Sequence, residues 1–125
     1  MKFKVGLCSI IMFISFISCN QGEIELVRIF AVEIPERINL GQVVHFTMHC
    51  GTPTPCYEFH HTEVSDSAFD IYVKVYAERK RGLCVQVLSS FITSELFMPD
   101  SLGNYTFHFY QRYPSEYLIK VVNVQ

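Results

Sequence analysis

Strict alternation of apolar and polar residues is the feature that most limits what this chain can fold into. In residues 42–50, Val44, Phe46, Met48 and Cys50 fall on one side, and Val43, His45, Thr47 and His49 on the other. In residues 69–78, Phe69, Ile71, Val73, Val75 and Ala77 alternate with Asp70, Tyr72, Lys74, Tyr76 and Glu78. Further on, Tyr105, Phe107 and Phe109 alternate with Thr106, His108 and Tyr110. A period of two belongs to a β-strand with one face buried. No segment sustains the 3.6-residue period of an amphipathic helix, so strands alone are expected to build the core.

The N-terminus follows a different pattern. Lys2 and Lys4 precede an apolar run, residues 5–17, broken only by Gly6, Ser9 and Ser15. That run is too short to span a bilayer comfortably and reads as the apolar region of an export signal. It closes on Phe16-Ile17-Ser18-Cys19. A small residue followed at once by cysteine looks like a bacterial lipobox, with Phe16 where leucine is usual. The expected division is a lipoprotein signal peptide at 1–18, a polar tether at 19–24 and a folded domain at 25–125. Cys19 would carry the lipid. The protein would then sit in the bacterial cell envelope, attached to the membrane through its N-terminal lipid. Asn20 rather than aspartate follows Cys19, which favours the outer membrane.

Charge agrees with attachment by lipid rather than by basic residues. Removing Lys2 and Lys4 leaves 8 basic against 12 acidic side chains, a net charge of −4. That excludes a nucleic-acid partner and a polybasic membrane patch. Two or three acyl chains, at about 0.8 kcal/mol per buried methylene, would hold the domain durably.

Seven or eight short strands separated by turn signals predict an antiparallel β-sandwich. The turn signals include Gly51-Thr52-Pro53-Thr54-Pro55, Ser65-Asp66-Ser67, Arg79-Lys80-Arg81-Gly82 and Asp100-Ser101-Leu102-Gly103. Residues 85–88 are expected to form a short strand or bend. Tyr105 stands where immunoglobulin-like sandwiches place a corner tyrosine, whose hydroxyl bonds back to upstream backbone. With Cys8 in the signal and Cys19 lipidated, Cys50, Cys56 and Cys84 remain, enough for one bridge in an oxidising compartment. Cys56–Cys84 joins two hairpin ends and would stabilise by about 3–4 kcal/mol. Cys50–Cys56 is the rival, across a loop stiffened by two prolines. The first pairing is preferred because Cys50 falls on the core face.

Cys56 followed by Tyr57 and Phe59, Cys84 with Gln86 and Phe91 beyond it, then Pro99 and Gly103-x-Tyr105-x-Phe107 form a loose pattern. It resembles small immunoglobulin-like lipoproteins of Gram-negative bacteria. The resemblance implies an immunoglobulin-like β-sandwich of about seven strands, with a binding or structural role. The chain departs from antibody-type domains in having no tryptophan and no cysteine two residues after Tyr105.

Residues that could carry chemistry are few. His45, His49, His60 and His61, with Cys50 and Cys56, have the ligand types of a copper or zinc site. Alternation separates them, because Cys50 opposes His45 and His49, and neighbouring His60 and His61 diverge. Cys50 is the only candidate nucleophile and lacks a basic neighbour on its own face. No hydrolase, metalloprotease or phosphate-loop motif occurs. No cofactor is implied. The expected activity is non-enzymatic contact with another envelope protein or a glycan, through loops or an exposed sheet edge. A protease inhibitor acting through residues 51–55 is the alternative.

Overall fold

A computed structural model describes residues 22–112 and 116–125. The apolar run at 5–17 and Cys19, the residue expected to carry lipid, lie outside the described residues. The described residues form eight strands: β1 (Glu23–Glu33), β2 (Arg37–Ile38), β3 (Val44–Thr52), β4 (Tyr57–Ser67), β5 (Asp70–Arg79), β6 (Ser89–Phe97), β7 (Gly103–Arg112) and β8 (Glu116–Val124). Glu23 and Ile24, expected in the tether, already pair with Arg79 and Glu78.

The fold is all-β, a mixed sheet curled into a half-barrel. β1 joins its two parts. The strand first runs antiparallel to β5, from Glu23 opposite Arg79 to Val27 opposite Val75. It then pairs with β3 from Arg28 opposite Gly51 to Glu33 opposite Thr47, with an irregularity between Ile29 and Ala31. Such a bulge bends a strand and increases its twist. The Gln111 side-chain amide donates to the Ile29 carbonyl (3.2 Å), which supports the chain at the crossing. Beyond β3 lies β6, paired with it from Val44 opposite Phe97 to Thr52 opposite Ser89. On the other side, β4 borders β5 along its length. β7, β8 and β2 follow.

Two pairings are parallel, β5 with β7 and β2 with β8. This corrects the all-antiparallel expectation. The cause is the departure of β1, whose pairing with β5 stops at Val75. The backbone groups of the first half of β5 then need another partner. β7 supplies it, from Asp70 opposite Thr106 to Val73 opposite Phe109.

The alternating sets meet inside the curl. Phe46, Met48, Cys50, Ile71, Val73, Val75, Ala77, Phe107 and Phe109 are fully buried. Phe46 meets Phe107 and Phe109 edge-on, with centroids 5.6 and 5.7 Å apart. Contacts of that geometry add about 0.5–1.5 kcal/mol each beyond burial. Two local expectations are corrected. Ser65-Asp66-Ser67 is strand rather than turn, and the hairpin turns on Ala68 and Phe69 alone, between Ser67 and its partner Asp70. A two-residue hairpin needs positive φ, and Ala68 adopts it (58°). Residues 85–88 form no strand. They belong to a long loop between β5 and β6.

Tyr105 is buried at the start of β7. Its hydroxyl accepts from the Ser101 N–H (3.2 Å) and lies 3.3 Å from the Ser101 carbonyl. Tyr105→Phe keeps the ring and loses these bonds. It should lower the unfolding free energy by about 1–2 kcal/mol, read as a lower urea midpoint at unchanged slope. Ala68→Gly relieves the left-handed backbone and should raise stability by about 1 kcal/mol in the same measurement. A midpoint that stays fixed or falls would contradict that account of the turn.

Candidate functional site

Cys56 and Cys84 are joined, with Cα atoms 6.0 Å apart. The Lys80 N–H donates to the Cys56 carbonyl (2.8 Å), so the β3–β4 and β5–β6 loops are tied together at one end of the molecule. Arg79-Lys80-Arg81, expected as a turn, is therefore the root of a long loop between β5 and β6. Residues 51–55 turn back on themselves. The Thr52 hydroxyl donates to the Thr54 carbonyl (2.9 Å), and the Thr54 hydroxyl accepts from the Cys56 N–H (3.3 Å). The carbonyl and the hydroxyl of Thr54 are thus both engaged within the loop. That leaves little extended backbone for a protease cleft to align, and the loop gives the inhibitor reading no geometric support.

Cys50 is free and buried under the sheet, and burial pushes its thiol up to about 12. At neutral pH it is a thiol rather than a thiolate, so it lacks the reactive form. The four histidines considered as metal ligands are distributed over both parts of the fold. His45 and His49 lie on the outer side of β3, and the His49 Nε2 is 3.2 Å from the Glu33 carboxylate. His60 and His61 lie on β4, with their Nδ1 atoms 2.7 Å apart. Their closeness corrects the expectation that they diverge. A register irregularity between Phe59 and His61 breaks the alternation there. Among the described residues, no group of three or more His, Cys, Asp or Glu is placed to hold a metal ion.

Aromatic rings crowd the outer face around β5. His61 stacks on Tyr76 at 4.6 Å, and Tyr72 stacks on His108 at 4.4 Å. Tyr117 meets both Tyr72 and Tyr110 edge-on. Tyr110, expected to face outward, is buried. Ring faces in this row are spent on one another across the strands. They do not form the open platform on which a sugar ring would stack.

The outer side of β6 has the opposite character. A half-exposed sheet normally turns polar residues outward. Here the outward positions carry Ile92 and Leu96, both 63 % exposed, between Leu88 at 87 % and Met98 at 56 %. Only Ser90 and Ser94 interrupt them. The row runs into a groove of about 600 Å³ bounded by Arg28, Phe30, Gly51, Pro53, Leu88 and Ser90. Gly51 forms part of this lining. A Cβ there would meet the Phe30 ring at an ordinary 3.6 Å, so the lack of a side chain keeps the groove open without being forced by crowding. β6 pairs with β3 on one edge and with no strand on the other, among the described residues. Apart from Glu95 it carries no charge. β4, also an edge strand, carries Glu58, Glu63 and Asp66 and an irregularity, features that discourage strand pairing.

The β6 surface was not singled out from the sequence. Its signal was the apolar residues at 88, 92 and 96 with serines between. That signal was masked because Phe91 and Phe97, at the other parity, also claim the core. A scan against protein-family models and searches of curated proteins and of solved structures find no match to the chain.

Cys50 offers a direct check of the buried arrangement. At pH 8 a thiol-alkylating reagent should leave Cys50 unmodified in the native protein and label it fully after denaturation, as read by intact mass. Rapid native labelling would show that β3 does not hold this face inward.

Proposed function

We propose that the chain is a lipid-anchored protein of the bacterial cell envelope that acts without catalysis, as a binding module on an immunoglobulin-like β-framework. The lipobox pattern ending at Cys19 supports the location. The hydroxyl of Tyr105, bonded back to Ser101 at the corner before β7, supports the immunoglobulin-like reading. The partner is an extended segment of another envelope protein. That segment adds to the open edge of β6 and places an apolar side chain in the groove beside Phe30 and Leu88.

One observation carries this reading: the outward row Leu88, Ile92, Leu96 and Met98 on an edge strand whose one charged residue is Glu95. Apolar side chains in a contiguous row mark an interaction surface, whereas scattered ones need no explanation. Strand addition also divides the task in a familiar way, with backbone bonds giving affinity and alternate side chains giving specificity. A protein strand suits this surface better than a glycan, because the aromatic rings of the molecule stack mainly on one another elsewhere.

A photo-crosslinking residue at Ile92 should give a discrete adduct with an envelope protein in intact cells. The same residue at Val121, exposed on β8, should not. Ile92→Glu together with Leu96→Glu should abolish partner recovery while leaving the unfolding midpoint nearly unchanged, since both side chains are exposed. Equal adducts from positions 92 and 121 would defeat the assignment to β6.

A further inference from the structure

From the geometry around Gly22 we infer that the loop between β5 and β6 rests on the lipid bilayer, inserting Leu83 and Val85 into its surface. This rests on the reading of Cys19 as the lipidated residue. Leu83 is fully exposed, and Val85 and Val87 are more than half exposed. The Cys56–Cys84 bridge holds the loop at its middle, so Leu83 and Val85 project from either side of a fixed point.

The occupant follows from where the chain enters the fold. Gly22 lines one cleft with Glu23, Arg79, Lys80, Arg81 and Gly82, the residue before Leu83. Its N–H donates to the Glu78 carboxylate (3.2 Å), and a Cβ at this position would run into the Arg79 carbonyl. The entry point is therefore held against the end of β5, beside the root of the loop. Gly22 is three steps along the chain from Cys19, with Asn20 and Gln21 between, a reach of at most about 11 Å. The headgroup layer on one side of a bilayer is about 5–8 Å deep. A lipid on Cys19 therefore brings the whole end of the domain to the membrane surface, with the apolar loop among the first groups to meet it.

Charge is not what holds the loop there. Lys80 lies 3.3 Å from the Glu78 carboxylate and 3.6 Å from that of Glu58. Glu23 lines the same cleft. The basic run is thus offset locally by carboxylates. Insertion is apolar, and it should differ little between zwitterionic and anionic lipid or between low and high salt.

The chain has no tryptophan, so L83W gives a single-tryptophan reporter at the loop. L102W gives a second at the opposite end, about 30 Å away along the 10 residues of β5. The full chain, exported through its own signal, purified in detergent and reconstituted into phosphatidylcholine vesicles, is the sample. Brominated phosphatidylcholine should remove most of the L83W emission and leave that of L102W. Adding phosphatidylglycerol or salt should not change this. Protein that floats with the vesicles but shows equal, weak quenching at both positions overturns the loop contact and leaves the anchor standing. Protein that does not float defeats both. A blue shift of L83W that grows with protein concentration in detergent, without quenching by vesicles, assigns the loop to a second copy and also overturns the inference.

Discussion

The fold depends on one strand serving two parts of the half-barrel. β1 spends its first residues on β5 and its last on β3, changing partner between Val27 and Arg28, and a bulge follows between Ile29 and Ala31. Without that crossing, β3 and β6 would not be held over the aromatic residues of β7. Phe46 could not then meet Phe107 and Phe109. The parallel contact of β7 with β5 is a second consequence, because β1 vacates the edge that β7 occupies. A bulge of this kind leaves backbone groups to satisfy, and the Gln111 amide on the Ile29 carbonyl meets part of that need.

The two surfaces assigned a role share a physical logic. Both expose apolar side chains where a self-sufficient domain would turn polar ones outward, and both are fixed in place. On β6 the fixing is done by nine paired residues of β3. In the β5–β6 loop it is done by the disulfide. An apolar group held rigidly in water has little entropy left to lose on docking, so more of its burial appears as affinity. The groove begins at Leu88 and Ser89, where the loop ends and β6 starts. A bilayer contact and a partner contact would thus be neighbours in the chain without sharing residues.

Much of the core was legible in advance. Alternation placed Val44, Phe46, Met48 and Cys50 inward on β3, and Ile71, Val73, Val75 and Ala77 inward on β5, and all eight are buried. The Cys56–Cys84 pairing followed from the same logic, since Cys50 was already committed to the core. Alternation reports which face a residue takes, but not which strand lies alongside. The parallel β5–β7 contact was therefore invisible. It also assumes an unbroken pleat. The irregularity on β4 removes that assumption, which is why His60 and His61 meet instead of diverging. Residues 85–88 have strand-like composition but form a loop, for which β-propensity alone was a poor guide.

The position of β1 also bears on how the molecule carries load. Any tug arriving through the residues before Gly22 enters the fold at the first residue of this strand. A strand pulled along its own axis shares the force over all of its backbone bonds together. A strand peeled from one end surrenders them singly. β1 is gripped by β5 over its first half and by β3 over its second. Its two grips follow one another along the strand, so a pull along its axis would load both ladders in shear, as in a lap joint, rather than unzip them.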